Sequence, residues 1–104
     1  MKAVDIGALD EYVSGEARQV RVDGRVLVVV RIVDDVYVLD DRCSHEDYSL
    51  AEGEVNVETK EIECARHGSM FGLLDGAPTS FPATRPVARY DVRQHEGRVE
   101  VMVP

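Results

Sequence analysis

The sequence predicts an all-β fold, an antiparallel sandwich or barrel, in one domain spanning residues 1–104. Three observations predict it. Runs of valine, isoleucine and leucine alternate with charged residues along most of the chain, the period-two pattern of strands with one buried face. Turn signals such as Asp23-Gly24, Asp75-Gly76 and Glu96-Gly97 break these runs at short intervals. No segment keeps the 3.6-residue apolar period of a helix of useful length.

Residues 3–9 read as a first strand, with Asp10-Glu11-Tyr12 starting a turn. Val20 and Val22 alternate with Arg21 and run into Asp23-Gly24, a two-residue hairpin signal. Residues 26–33 are β-branched and almost wholly apolar, which predicts a central buried strand. Asp34-Asp35 turns the chain into a strand over 36–39. Ala51-Glu52-Gly53 is a turn. Val55 and Val57 then share one face of a hairpin, and Ile62 and Cys64 another, across a turn at Thr59-Lys60. Residues 70–74 form a strand closed by Asp75-Gly76. Three prolines fall within residues 78–86, where a fixed φ lowers the entropy of an ordered loop. Ala88, Tyr90 and Val92 alternate with Arg89, Asp91 and Arg93; Val99, Val101 and Val103 alternate with Arg98, Glu100 and Met102. His95-Glu96-Gly97 joins these last strands, which makes His95 a solvent-facing turn residue.

The chemistry lies between residues 43 and 67. Cys43-Ser44-His45 opens the stretch and Cys64-Ala65-Arg66-His67 closes it, using both cysteines of the protein and two of its three histidines. Each half offers one thiolate and one imidazole. Two such halves can hold a two-iron, two-sulfide cluster, with both Cys on one iron and both His on the other. Gly68 follows the last ligand, where the backbone is expected to pass close to a bridging sulfide. Two Cys and two His also suit structural zinc. Zinc ligands commonly pair like with like, as Cys-x-x-Cys and His-x-x-x-His, whereas each pair here is mixed. Iron and acid-labile sulfide assays separate the two readings.

Cys-x-His followed by Cys-x-x-His-Gly-Ser resembles the Rieske family, and the likeness runs from about Val20 to Val103. Within that family the chain is most similar to the small ferredoxins that feed electrons to multicomponent non-haem iron oxygenases. The resemblance implies a Rieske-like antiparallel β-sandwich with a cluster-binding subdomain inserted at about residues 41–86. It implies one 2Fe-2S cluster per chain held by Cys43, His45, Cys64 and His67. It gives residues 82–86 the role of a proline loop covering the cluster. It also implies two partners, a flavin-containing NAD(P)H-dependent ferredoxin reductase upstream and a terminal oxygenase downstream.

Ligand type sets the redox task. Two ferric ions, two sulfides and two thiolates sum to zero charge with neutral imidazoles, so adding an electron costs less than in a four-Cys cluster. One-electron transfer at roughly −150 to +300 mV is the span of the class. High-potential relatives carry a Ser and a Tyr that donate to the cluster, and a disulfide between the ligand loops. Ser69 keeps the first position, Phe71 stands where the Tyr would be, and Tyr48 and Arg66 stand where the disulfide would be. A low-potential centre is expected, because hydrogen bonds to sulfur favour the reduced state. Leu50, a few residues beyond the first ligand loop, serves either to shield the cluster or as ordinary packing.

The remaining composition bounds the function. A net charge of −8 disfavours nucleic acid and anionic membranes as partners. Near the ligands Arg42, Arg66 and Arg85 outnumber Glu46 and Asp47, so the cluster tip is expected to be nearly neutral on an acidic body. The longest apolar run, residues 26–30, is far too short to cross a bilayer. The start of the chain lacks a signal-peptide pattern, and the cluster claims both cysteines, so a soluble, cytoplasmic protein without disulfides is expected. No catalytic triad, phosphate-cradling glycine loop or mononuclear iron site can be built from the residues present. A Rieske cluster with nothing beside it is a carrier, not an enzyme. The rival readings are an accessory protein of iron–sulfur assembly or redox sensing, and a small subunit of an enzyme such as a nitrite reductase.

Overall fold

The computed structural model describes every residue except His45 and Glu46. Among the described residues the order of elements is β1 (Lys2–Ala8), a 3-10 turn at Leu9–Glu11, β2 (Ala17–Val22), β3 (Arg25–Ile32) and β4 (Asp35–Asp40). A second 3-10 turn at Leu50–Glu52 follows, then β5 (Val55–Asn56), β6 (Glu61–Glu63), β7 (Met70–Gly72), β8 (Arg89–Tyr90), β9 (Val92–His95) and β10 (Arg98–Val103). The strands form three antiparallel sheets, in the orders β1-β10-β9, β2-β3-β4-β8 and β5-β6-β7.

The unbroken apolar run in β3 has a physical reason: its sheet is covered on both faces. Leu27 and Val29 point into a core shared with Val99, Val101 and Val103 of β10. Val28, Val30 and Ile32 point the other way, into a core shared with Ile62, Phe71, Leu73 and both cysteines. Side chains alternate along a strand, so a strand buried on both sides needs apolar residues at every position. The expected sandwich is therefore present, with the small third sheet packed on its outer side.

Several boundaries differ from the sequence reading. The β3–β4 turn is Val33-Asp34, one residue earlier than expected, since Ile32 pairs with Asp35. Val33 sits at φ +57° and is 66% exposed, outside the strand. The expected strand over 70–74 stops at Gly72, where the chain folds into a turn closed by the Gly76 N–H on the Gly72 carbonyl. Val57 is exposed in the turn after β5, whose Asn56 side chain accepts the N–H groups of Glu58 and Thr59. The alternation from Ala88 to Arg93 spans two strands: β8 pairs with β4, and β9 pairs with β10. The chain changes sheet at Asp91, which period-two patterning does not register.

Residues 41–88 leave the sandwich at β4 and return beside it. Val38 pairs with Tyr90, Leu39 pairs with Arg89, and the Asp40 N–H bonds the Ala88 carbonyl at 2.9 Å. The neck of this excursion is thus narrow, and the third sheet lies wholly within it. Gly53 is required where the second 3-10 turn meets β6, because a Cβ there would fall 1.5 Å from the Glu63 carbonyl oxygen.

Candidate metal centre

The first cysteine loop hangs from a polar knot at its base. Asp41 is buried at the end of β4. Its carboxylate accepts hydrogen bonds from Gln19 Nε2 at 2.5 Å, the Ser49 hydroxyl at 2.6 Å and the Ala51 N–H at 2.7 Å. The Leu50 N–H bonds the Asp41 carbonyl and the Cys43 N–H bonds the Tyr48 carbonyl, both at 3.0 Å. Both ends of the loop are therefore fastened to one residue. Nothing in the sequence pattern marks Asp41 or Gln19, which read as ordinary charged and polar positions.

The second loop is a tight turn after β6. The Cys64 N–H bonds the Ser69 carbonyl at 2.7 Å, and the Gly68 N–H bonds the Cys64 carbonyl at 2.9 Å. Gly68 takes φ +79°, a conformation that disfavours residues with a Cβ. The described protein atoms leave room there: a Cβ at this position would have Glu63 Oε2 as its nearest neighbour, 3.9 Å away. Backbone conformation, rather than crowding by the protein, is what the structure gives as the reason for this glycine.

The loops bring the two cysteines together. Cys43 and Cys64 are buried free thiols in one apolar cluster with Leu50, Ile62, Phe71 and Ala83. The Cys64 side chain is hydrogen-bonded to that of Cys43 and receives the main-chain N–H groups of Arg66 and His67. Burial pushes the Cys64 thiol up, and those two N–H groups pull against it. A buried thiolate pair is costly alone and is stabilised by metal cations. The donor set thus fits a metal centre: two sulfurs inside, amide donors aimed at one of them, and His67 exposed. His45 lies outside the described residues.

The proline-containing segment closes over both loops. The Ala83 N–H donates to Ser69 Oγ at 3.1 Å, and the Ser44 hydroxyl donates to the Arg85 carbonyl at 2.5 Å. Ser69 is fully buried, and its oxygen accepts from Ala83. Phe71 is fully buried in the same cluster as the thiols. Tyr48 is hydrogen-bonded to the Glu52 carboxylate, which raises its phenol, and it lies within electrostatic reach of Arg66 and Cys64. Leu50 is fully buried in the same apolar cluster as the thiols, which is the packing role expected of it. At the surface of this tip Arg42, Arg66 and Arg85 are exposed, and Arg42 pairs with Asp47 at 3.1 Å. His95 is exposed, as expected, but it ends strand β9, paired with Arg98, rather than lying in the turn.

Comparison with known proteins gives this arrangement its family. The family described as Rieske [2Fe-2S] domain matches residues 2–91. The chain belongs to the Rieske family. Its cofactor is a Rieske-type 2Fe-2S cluster, and the Rieske fold is the one seen in its solved relatives. The anthranilate 1,2-dioxygenase ferredoxin subunit of Burkholderia cepacia is 36% identical over 98 residues, covering 94% of this chain and 89% of that one. The ferredoxin of carbazole 1,9a-dioxygenase from Nocardioides aromaticivorans superposes with a TM-score of 0.94 at 36% identity, over 97% of each chain. A chain in the complex of reduced oxygenase and oxidized ferredoxin of carbazole 1,9a-dioxygenase superposes at 0.87, with 35% identity over 95% of this chain and 91% of that one. These Rieske relatives are named as ferredoxin components of dioxygenase systems, which are electron carriers rather than catalytic subunits. Among the described residues no helix is long and apolar enough to cross a membrane.

Proposed function

We propose that Cys43, His45, Cys64 and His67 hold the cluster, with the two thiolates on one iron and the two imidazoles on the other. We further propose that the protein is a soluble cytoplasmic one-electron carrier between a flavin-containing NAD(P)H-dependent reductase and a terminal oxygenase. The observation that carries this reading is the pair of buried, mutually hydrogen-bonded thiols, one from each loop, with His67 of the same motif exposed. Residues 41–86 then act as the cluster-binding subdomain, set on the sandwich by the β4–β8 pairing.

When bound, the cluster accepts and releases one electron. The chain does the rest. Cys43 and Cys64 keep the sulfur side in a dry apolar cluster. The amides of Arg66 and His67, with the Ser69 hydroxyl, supply donors that favour added negative charge. His67 offers an exposed imidazole edge for transfer across a contact. Phe71 offers no such donor, so the midpoint should fall near the bottom of the class, roughly −150 mV. A midpoint clearly above zero contradicts that assignment.

Reconstitution tests the function. The purified protein, a flavin reductase and a terminal oxygenase are mixed with NAD(P)H, and coupled product formation is followed with and without the protein. Turnover that depends on the protein is expected. Rapid reduction without any onward transfer to an oxygenase, together with cluster exchange to assembly factors, contradicts the carrier reading.

A further inference from the structure

The segment over residues 82–86 is gripped by one serine from each cysteine loop. Ser69, buried, takes the Ala83 N–H, and its hydroxyl already has a proposed role as a donor to the cluster. Ser44 has none. Electron transfer does not call for a hydroxyl between Cys43 and His45, yet this exposed side chain donates to the Arg85 carbonyl at 2.5 Å across 41 residues of sequence. A surface recess of about 250 Å³ lies beside that bond, lined by Arg42, Cys43, Ser44 and Pro86. The Ser44 bond thus ties the two walls of a recess that reaches a proposed iron ligand.

We propose that Ser44 is a positioning residue: its hydroxyl latches the 82–86 segment onto the first ligand loop and limits the access of water and small molecules to the cluster. The inference rests on the ligand assignment proposed above. The Arg85 carbonyl is at the surface, so water replaces Ser44 when the hydroxyl is removed, and global stability changes little. What is lost is the fixed position of the segment, because a water molecule does not tie it to the loop. The two proposed ligands of the first loop flank Ser44 directly, so the same bond also restrains their loop.

Thr and Val have the same shape and differ in the hydroxyl, so Ser44→Thr and Ser44→Val isolate it. The three holoproteins are compared by the rate of colour loss to bathophenanthroline disulfonate, by midpoint potential, and by amide hydrogen exchange at Thr84 and Arg85. Ser44→Val should bleach about fivefold faster, the change one ordinary hydrogen bond makes in an opening equilibrium. Its midpoint should rise, since water favours the added negative charge, and its Thr84 and Arg85 amides should exchange faster. Ser44→Thr should match the wild type. Val and Thr variants that behave alike, whether both changed or both unchanged, overturn the latch. A wild-type protein without iron and sulfide refutes the cluster reading instead, and exchange at Thr84 and Arg85 in the metal-free variants still reads the latch.

Discussion

Phe71 is fully buried in the apolar cluster that holds both thiols. Phe71→Tyr should raise the midpoint if the new O–H reaches a cluster sulfur, as measured by voltammetry. An unchanged potential with a loss of about 1–3 kcal/mol in stability means the hydroxyl is buried without a partner. Ser69→Ala should lower the midpoint, because a donor is removed. Away from the centre, Tyr90 donates to Asp40 Oδ1 at 2.7 Å where β8 meets β4. Tyr90→Phe should cost about 1.5–3 kcal/mol in urea unfolding, the range for a hydrogen bond to a charged group. Burial, and then the bond to Asp40, hold the Tyr90 phenol above its ordinary 10.0. Its contribution is therefore complete below pH 10 and fades as pH rises through the higher folded value. At this scale the spacing of Cys43, Cys64 and His67 is legible in the sequence, and the structure buries the two thiols together. The sequence does not announce Asp41, whose partners Gln19 and Ser49 lie 22 and 8 residues away, or Ser44, whose partner lies 41 residues away.

At the scale of elements, β1 is tied to β10 by a bidentate contact from Arg98 to the Asp5 carboxylate, at 2.8 and 3.0 Å. The Arg98 hydrogen bond holds the Asp5 carboxyl below its ordinary 3.8. The folded value is depressed, so the contribution is present above pH 3.8 and is lost as pH falls through the folded value. Asp5→Asn should weaken the fold slightly at neutral pH and leave the acid end unchanged; an equal effect at both ends contradicts the pairing. The β3–β4 turn offers the opposite case. Val33, β-branched and at φ +57°, is held by its N–H on Ser14 Oγ and its carbonyl on Arg31 Nε. Val33→Asn should stabilise by about 1 kcal/mol, since Asn tolerates this conformation and Val does not; a lower urea midpoint contradicts that. Strands with one or two apolar faces, such as β3 and β10, are legible because period and burial agree. The turn at Val33-Asp34 is not, because Asp34-Asp35 carries the stronger turn chemistry, and the tertiary bond to Ser14 with the local one from Arg31 overrides it.

The whole molecule is an acidic body with exposed arginines at the tip that holds the cysteine loops. Transient redox contacts are small and polar, so coupled turnover should fall as salt rises from low ionic strength. Turnover independent of salt argues against docking led by charge. The two cores divide the labour: one holds the sandwich together, and the other packs the thiols against the small sheet. The latter core should therefore loosen when the metal is removed, while the sandwich strands keep their hydrogen-exchange protection. Exchange that rises equally throughout contradicts this division. The most direct test of the account is metal and sulfide analysis joined to pulsed magnetic resonance of the reduced protein. Equimolar iron and acid-labile sulfide, with coupling from two histidine nitrogens, is the result expected; zinc without sulfide, or a cluster with sulfur ligands alone, contradicts it.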